Sequence, residues 1–364
     1  MLRRAFGVAT ANIDGLLLGM IGVLLGIGVT VLYSASGESL ARVSGQLINI
    51  GVAFGVMWLA AKVPPNHLER IALPAYLFGL MLLVGVALFG EITNGARRWL
   101  DIGITRIQPS ELMKIAVPMM LAWYFHRFES QRRLHHYGVA ALILALPVGL
   151  IVRQPDLGTA LLIAASGFYV LFLAGLSWRV IAALSLGAMA AGPLVWNLMH
   201  GYQRQRILTL LDPSQDPLGA GYHTIQSTIA VGSGGIAGKG WLNGTQTHLD
   251  FLPERTTDFI FAVYSEEFGL TGNVLLILLF LALIGRGLVI TANAPTTFAR
   301  LLAGAVTLGF FTYAFVNMGM VSGILPVVGV PLPLISYGGT SLVTVCLGFG
   351  ILMSIHTHKK LVQS

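Results

Sequence analysis

The chain has 364 residues, 55% of them apolar and only 10% charged. That is too little charge for the surface of a soluble chain of this length, so the composition indicates an integral membrane protein, built from helices because backbone exposed to lipid must satisfy its own hydrogen bonds. The net charge of +7 is no evidence for nucleic acid, because in a membrane protein the sidedness of charge carries the information; the single cysteine, Cys346, excludes an intramolecular disulfide and a cysteine-based metal site.

A spanning helix needs about 20 apolar residues. Apolar windows fall at 13–33, 46–62, 71–90, 110–125, 138–153, 157–176, 179–200, 265–287, 300–322 and 336–355, which predicts an all-α protein with ten transmembrane helices. The first, Ile13 to Tyr33, is too long for the core of a signal peptide and is read as a retained helix. With ten spans both termini share one side. That side also holds Arg3, Arg4, Lys62, Arg70, Arg127, Arg132, Arg133, Arg179, Arg286, Arg300, Lys359 and Lys360, so the positive-inside rule makes it the cytoplasm. The chain then reads as a single membrane domain, 1–364, with one large outer loop, 201–258, between helices 7 and 8.

The cations left on the outer side fall into three segments. They answer either to an anionic ligand at the outer leaflet or to nearby acids. The first segment runs from Gly95 to Lys114 and includes Arg106. Pro109 and Ser110 give a helix start, with Ser110 a candidate N-cap. Glu111 and Lys114 are three apart and share a helix face, as a self-neutralising pair or as the wall of a cavity in which Lys114 meets phosphate. The second segment is Arg153-Gln-Pro-Asp156-Leu-Gly-Thr159, where Asp156 either caps the next helix or faces a cavity as a second acid. Glu111 and Asp156 are together the candidate ligands for a divalent cation, Mg or Mn, that bridges a diphosphate.

The third segment is the outer loop. It opens with the basic Tyr202-Gln-Arg204-Gln-Arg206 and continues into a glycine run ending Gly238-Lys239-Gly240. The run looks like a nucleotide-binding loop but fails its pattern: position 233 is Ser, and Gly240 follows the lysine where Ser or Thr is required. A flexible basic loop near a phosphate head is the reading kept for Lys239. The loop closes on Phe251-Leu-Pro-Glu-Arg-Thr-Thr-Asp258-Phe-Ile-Phe-Ala262. Asp258 sits where polar sequence re-enters apolar sequence, and a carboxylate there is costly unless solvated, paired or used. It is the candidate catalytic base. Beyond it, Glu266 and Glu267 are expected at the interface, on a short piece broken near Gly269 or Gly272. Pro326, Pro331 and Pro333 precede Ser336-Tyr-Gly-Gly-Thr-Ser341, a re-entrant loop that lines the same cavity or caps the last helix.

These blocks resemble the SEDS proteins (shape, elongation, division and sporulation), most closely their rod-shape branch, over essentially the whole length. The resemblance rests on Gly95-Ala-Arg-Arg-Trp-Leu, Gln108-Pro-Ser-Glu111-Leu-Met-Lys114, Gln154-Pro-Asp156-Leu-Gly-Thr159, Phe251-Leu-Pro-Glu with Thr257-Asp258-Phe-Ile-Phe-Ala, and Gly323-Ile-Leu-Pro with Ser336-Tyr-Gly-Gly. One departure is Thr256, where many relatives carry His. The resemblance implies a peptidoglycan glycosyltransferase of the bacterial cytoplasmic membrane that polymerises lipid II at its periplasmic face. It also implies a class B penicillin-binding protein and other rod-complex membrane proteins as partners. The family's essential aspartate falls on Asp258, and its cavity residues fall on Arg106, Glu111, Lys114 and Asp156. In the mechanism this predicts, Asp258 deprotonates the acceptor hydroxyl, and Arg106, Lys114, Arg204, Arg206 and Lys239 stabilise the departing diphosphate. A lipid II flippase is the rival reading. It requires polar residues along both halves of a path, whereas the charges here concentrate at the outer end.

Overall fold

The computed structural model describes residues 13–93, 96–101, 106–129, 134–199, 201–215, 220–248, 251–252 and 254–358. Seven of its helices are long and apolar enough to cross a membrane. They are α1 (Gly15–Ala35), α2 (Leu40–Lys62), α3 (Pro65–Phe89), α5 (Leu134–Arg153), α11 (Ile260–Ala292), α12 (Thr297–Val321) and α13 (Thr340–Thr357). Three further helices lie on the remaining apolar windows: α4 (Pro109–Arg127), α6 (Leu157–Leu173) and α7 (Trp178–Leu198). Charges at both ends of α4 and the shortness of α6 keep them below the span criterion.

Two features depart from the sequence reading. Between α3 and α4 the chain forms a three-stranded antiparallel sheet, β1 (Glu91–Thr93), β2 (Ala96–Asp101) and β3 (Arg106–Ile107), with Leu100 opposite Ile107 and Asp101 opposite Arg106. The outer insert is also not simply loop. It contains α8 (Gly201–Leu211), α9 (Ala220–Ser233) and a single turn, α10 (Thr245–His248). The start of α4 differs in detail. Gln108 is its N-cap without a side-chain bond, Pro109 occupies the first turn, and Ser110 is buried inside the helix. Proline suits that position because its missing N–H has no intrahelical partner there.

Helix α12 is the most enclosed of the spanning helices and packs against α4, α6 and α11, while α13 packs against α2. Lipid tails are as apolar as leucine, so such contacts depend on close approach rather than on expelling water. A Cβ at Gly350 of α13 would collide with the Met57 carbonyl of α2. At one end of the bundle Asp14 caps α1 and accepts from Arg286 at 2.8 and 2.7 Å, with His356 Nε2 4.0 Å away. The start of α1, the far part of α11 and the end of α13 are thereby tied together. The acids of interest lie at the opposite end.

There the glycine run has a structural task. Lys239 and Gly240 donate backbone N–H bonds to the carbonyls of Glu266 and Glu267, both at 3.0 Å, and Leu270 and Thr271 return bonds to Gly235 and Ile236. The clasp closes on the kink of α11 at Gly269, whose φ of 63° lies in the left-handed region. A Cβ at Gly269 would also strike the Gly238 nitrogen. Glu266, expected at the interface, is fully buried. Its Oε1 accepts from Lys239 Nζ at 2.7 Å, Thr245 Oγ1 at 3.0 Å and the Gln246 N–H at 3.1 Å. Glu267, equally buried, accepts from the Ser34 hydroxyl of α1. Replacing Gly269 by Ala is expected to lower stability by roughly 2 kcal/mol or more, through strained backbone and the collision together. Thermal unfolding of the purified protein measures the loss.

Candidate functional site

Asp258 is the penultimate residue before α11, in a tight turn where the Glu254 carbonyl accepts from Thr257 N (3.0 Å) and Phe259 N (3.2 Å). The rest of the turn is fastened from several directions. Ser336 Oγ donates to the Thr257 carbonyl at 2.6 Å, and Tyr337 N donates to the Thr256 carbonyl at 2.9 Å. Asn317 of α12 donates to the carbonyls of Asp258 (2.8 Å) and Val330 (2.6 Å), and Arg42 of α2 donates to Thr256 Oγ1 at 3.0 Å. The Ser336 loop therefore packs under the Asp258 turn rather than only capping α13. Thr256 does not partner the carboxylate.

Except for the Arg42 bond to the Thr256 side chain, the bonds to the turn are made to its backbone. Among the described residues, no hydrogen bond occupies the Asp258 carboxylate oxygens. Gly329, at φ 72°, faces them, and a Cβ there would sit 3.3 Å from Oδ2. Burial pushes the Asp258 carboxyl up to about 6; the charge of Glu254 adds to the rise and that of Arg98 opposes it. A carboxylate with free oxygens and a raised proton affinity suits a general base.

Neighbouring charges complete the corner. Arg98 of β2 has its Nε 3.6 Å from Asp156 Oδ2 and donates to the Pro155 carbonyl at 3.1 Å. Asp156 also caps α6, accepting from Thr159 N at 3.2 Å, as the first of its two sequence readings has it. Glu111 and Lys114 form an ion pair at 2.7 Å, and the ammonium lies 4.9 Å from the Tyr313 ring centroid. Tyr313 and Asn317 are four apart on α12 and share one face, so the ion pair and the Asp258 turn are stacked along the same helix.

The other predicted cations sort differently. Arg106 is placed in β3, in the sheet that carries Arg98; its side chain lies outside the described residues. Arg204 donates to the carbonyls of Trp196 (2.8 Å) and Asn197 (2.7 Å), closing the last turn of α7. Lys239 is held by Glu266 and Thr245 as the clasp describes. Arg206 lines a separate cavity with His223 and Thr209. The predicted set omitted Arg98, Tyr313, Asn317 and Ser336. Asn317 had a readable signal, an amide inside the apolar window 300–322, and in the structure it is fully buried, where it holds backbone in place. Gln46, buried in α2 and bonded to the Ser336 carbonyl at 3.3 Å, is a second case.

The donor set fits a resident divalent cation poorly. Glu111 and Asp156 are each already matched by a cation. Among the described residues, no group of three His, Cys, Asp or Glu side chains comes together that is able to hold a metal.

Residues 14–361 match the family model described as cell cycle protein, FTSW_RODA_SPOVE. The chain is 52% identical to peptidoglycan glycosyltransferase MrdB of Escherichia coli K12, covering 97% of this chain and 95% of that one. It is 33% identical to peptidoglycan glycosyltransferase RodA of Treponema pallidum, covering 96% and 98%. Among solved structures it resembles a chain from work on the structural coordination of polymerization and crosslinking by a peptidoglycan synthase complex, with TM-score 0.80 and 34% identity over 94% of this chain and 97% of that one. The rod shape determining protein RodA of Thermus thermophilus superposes with TM-score 0.72 at 28% identity, over 94% and 96%.

Proposed function

The chain belongs to the FTSW_RODA_SPOVE family of cell cycle proteins and is a peptidoglycan glycosyltransferase, and from that premise we propose how it works. It joins lipid II units into glycan strands through β-1,4 links for lateral wall elongation and rod shape. Ten helices cross the bacterial cytoplasmic membrane as one domain, both termini lie in the cytoplasm, and the Asp258 end faces the periplasm. A class B penicillin-binding protein, which crosslinks the strands, and other rod-complex membrane proteins are its partners.

The observation that carries the mechanism is the Asp258 carboxylate, free at its oxygens and raised by burial, on a turn whose backbone is bonded to Asn317, Ser336 and Tyr337. Asp258 takes the proton from the 4-hydroxyl of the acceptor sugar as that oxygen attacks the anomeric carbon of the donor. The bond to the diphosphate breaks with inversion. The leaving group departs already charged, so it needs cations rather than a proton. Arg98, whose charge acts on Asp258, and Lys114, beside Tyr313 on the face of α12 that carries Asn317, supply them. Arg106 and Arg206 extend the positive surface. Arg204 and Lys239 support the loop that carries it. No step is routed through a metal.

The decisive test supplies the purified protein, alone and with its penicillin-binding partner, with lipid II and assays glycan chains; chains that depend on Asp258 support the reading. A pH series adds a second check. A base with a raised pKa is active when deprotonated, so kcat/KM should fall as the pH drops through about 6. A rate that stays flat down to pH 4.5 removes Asp258 from the base role.

A further inference from the structure

A cavity of about 250 Å³ lies between α8, α9 and the Pro326–Val327 segment. Its lining includes Arg206, Thr209, His223 and Thr224. Thr209 is only 7% exposed, yet among the described residues its Oγ1 has no hydrogen-bond partner, and neither does the buried His223 Nδ1. Buried polar atoms in native proteins are almost always bonded, so unpartnered ones beside a cavity mark where a polar group from outside the chain finds partners. The void is several times the volume of one water molecule, which occupies about 30 Å³ in the liquid. Its chemistry is specific: a guanidinium, two hydroxyls and an imidazole, set among Leu210, Pro326 and Val327.

The cavity is also coupled to the candidate base. The His223 ring stacks on Phe259, with centroids 5.7 Å apart and planes inclined by 19°. Phe259 directly follows Asp258. Burial holds His223 below the ordinary histidine range, with Glu254 opposing the fall, and its Nδ1 has no hydrogen-bond partner among the described residues.

We propose that this cavity is a subsite for an oxyanionic group of the lipid-linked substrate, held by Arg206, Thr209 and His223 beside the Asp258 turn. Resting on the reading of Asp258 as the base, it gives one substrate molecule a fixed anionic anchor while its sugar meets the carboxylate. Two groups on such a substrate share this chemistry, the diphosphate and the carboxylates of the peptide.

The test uses the full-length protein with its partner, a lipid-linked disaccharide with and without the peptide, and inorganic diphosphate as inhibitor. Thr209→Val keeps shape and removes the hydroxyl; His223→Phe keeps the stack on Phe259 and removes the nitrogens. Each is expected to raise KM about tenfold with kcat nearly unchanged, as loss of a hydrogen bond to a charged group predicts. If the diphosphate occupies the cavity, both substrates show the penalty and inorganic diphosphate inhibits the variants less. If a carboxylate does, only the peptide-bearing substrate shows it. Wild-type KM on both substrates in both variants overturns the proposal, and so does a fall in kcat alone. Wild-type polymerisation that Asp258→Asn abolishes in the same assay keeps the base assignment standing in that event.

Discussion

Asp258→Asn is expected to lower the rate of glycan polymerisation by about 10²- to 10⁴-fold, the usual contribution of a positioned general base. The loss should fall on kcat, with KM for lipid II little changed, because the amide still fits the site but has no useful proton affinity. The fold should survive. Every described bond at this residue is made by its backbone: Asn317 to its carbonyl, and the adjacent bonds of Ser336 to Thr257 and Tyr337 to Thr256. Asparagine also removes a carboxylate that burial and Glu254 both disfavour in its charged form, so the variant should be at least as stable as the parent. A folded, membrane-inserted, inactive protein is the expected result, read by chain formation from lipid II and by thermal unfolding. Polymerisation within tenfold of the parent would sink the assignment.

Hydropathy placed a window on each of the seven helices long and apolar enough to cross a membrane, and on three further helices, because a helix in lipid must be apolar over its whole exposed length and that signal is additive along the chain. The helices of the outer insert lacked that signal. In the α8 segment Gly201–Leu211 Gln and Arg alternate over Gln203–Arg206, and α9 carries two glycines and several polar residues, so neither resembles a span. The sheet was invisible for another reason. Its strands are three, six and two residues long, too short for an alternating pattern to be distinguished from loop. Asp258, Asp156, Glu111 and Lys114 were legible because charge near the membrane stands out by composition alone. Their partners were not: Asn317 lies 59 residues from Asp258 and Ser34 lies 233 from Glu267. Burial of Glu266 was misjudged for the same reason, since its neutralising lysine comes from the glycine clasp 27 residues earlier.

The ion pair of Glu111 and Lys114 yields the other large expected effect, and it separates folding from chemistry. Their side chains are only 13% and 9% exposed. Glu111→Leu strands the ammonium in a largely apolar setting, with Tyr313, through its hydroxyl and its ring, as the remaining described partner. Removing one member of a buried pair costs about 3–5 kcal/mol, whereas replacing both by apolar groups of similar volume is often close to neutral. The double variant Glu111→Leu with Lys114→Met should therefore recover most of the lost stability, as thermal unfolding would show. Activity should behave differently. Among the described residues Glu111 Oε2 is buried without a hydrogen-bond partner, so the pair is not fully satisfied by itself, as expected where a substrate group supplies the remaining contact. Lys114 also supplies charge where a diphosphate must leave, and loss of one such stabilising group typically costs about 10²- to 10³-fold in kcat. The double variant should fold like the parent and polymerise at least about 10²-fold more slowly. A double variant that makes glycan at the parent rate would reduce the pair to a device for burying charge, and leave Arg98 and its neighbours to carry the departing diphosphate alone.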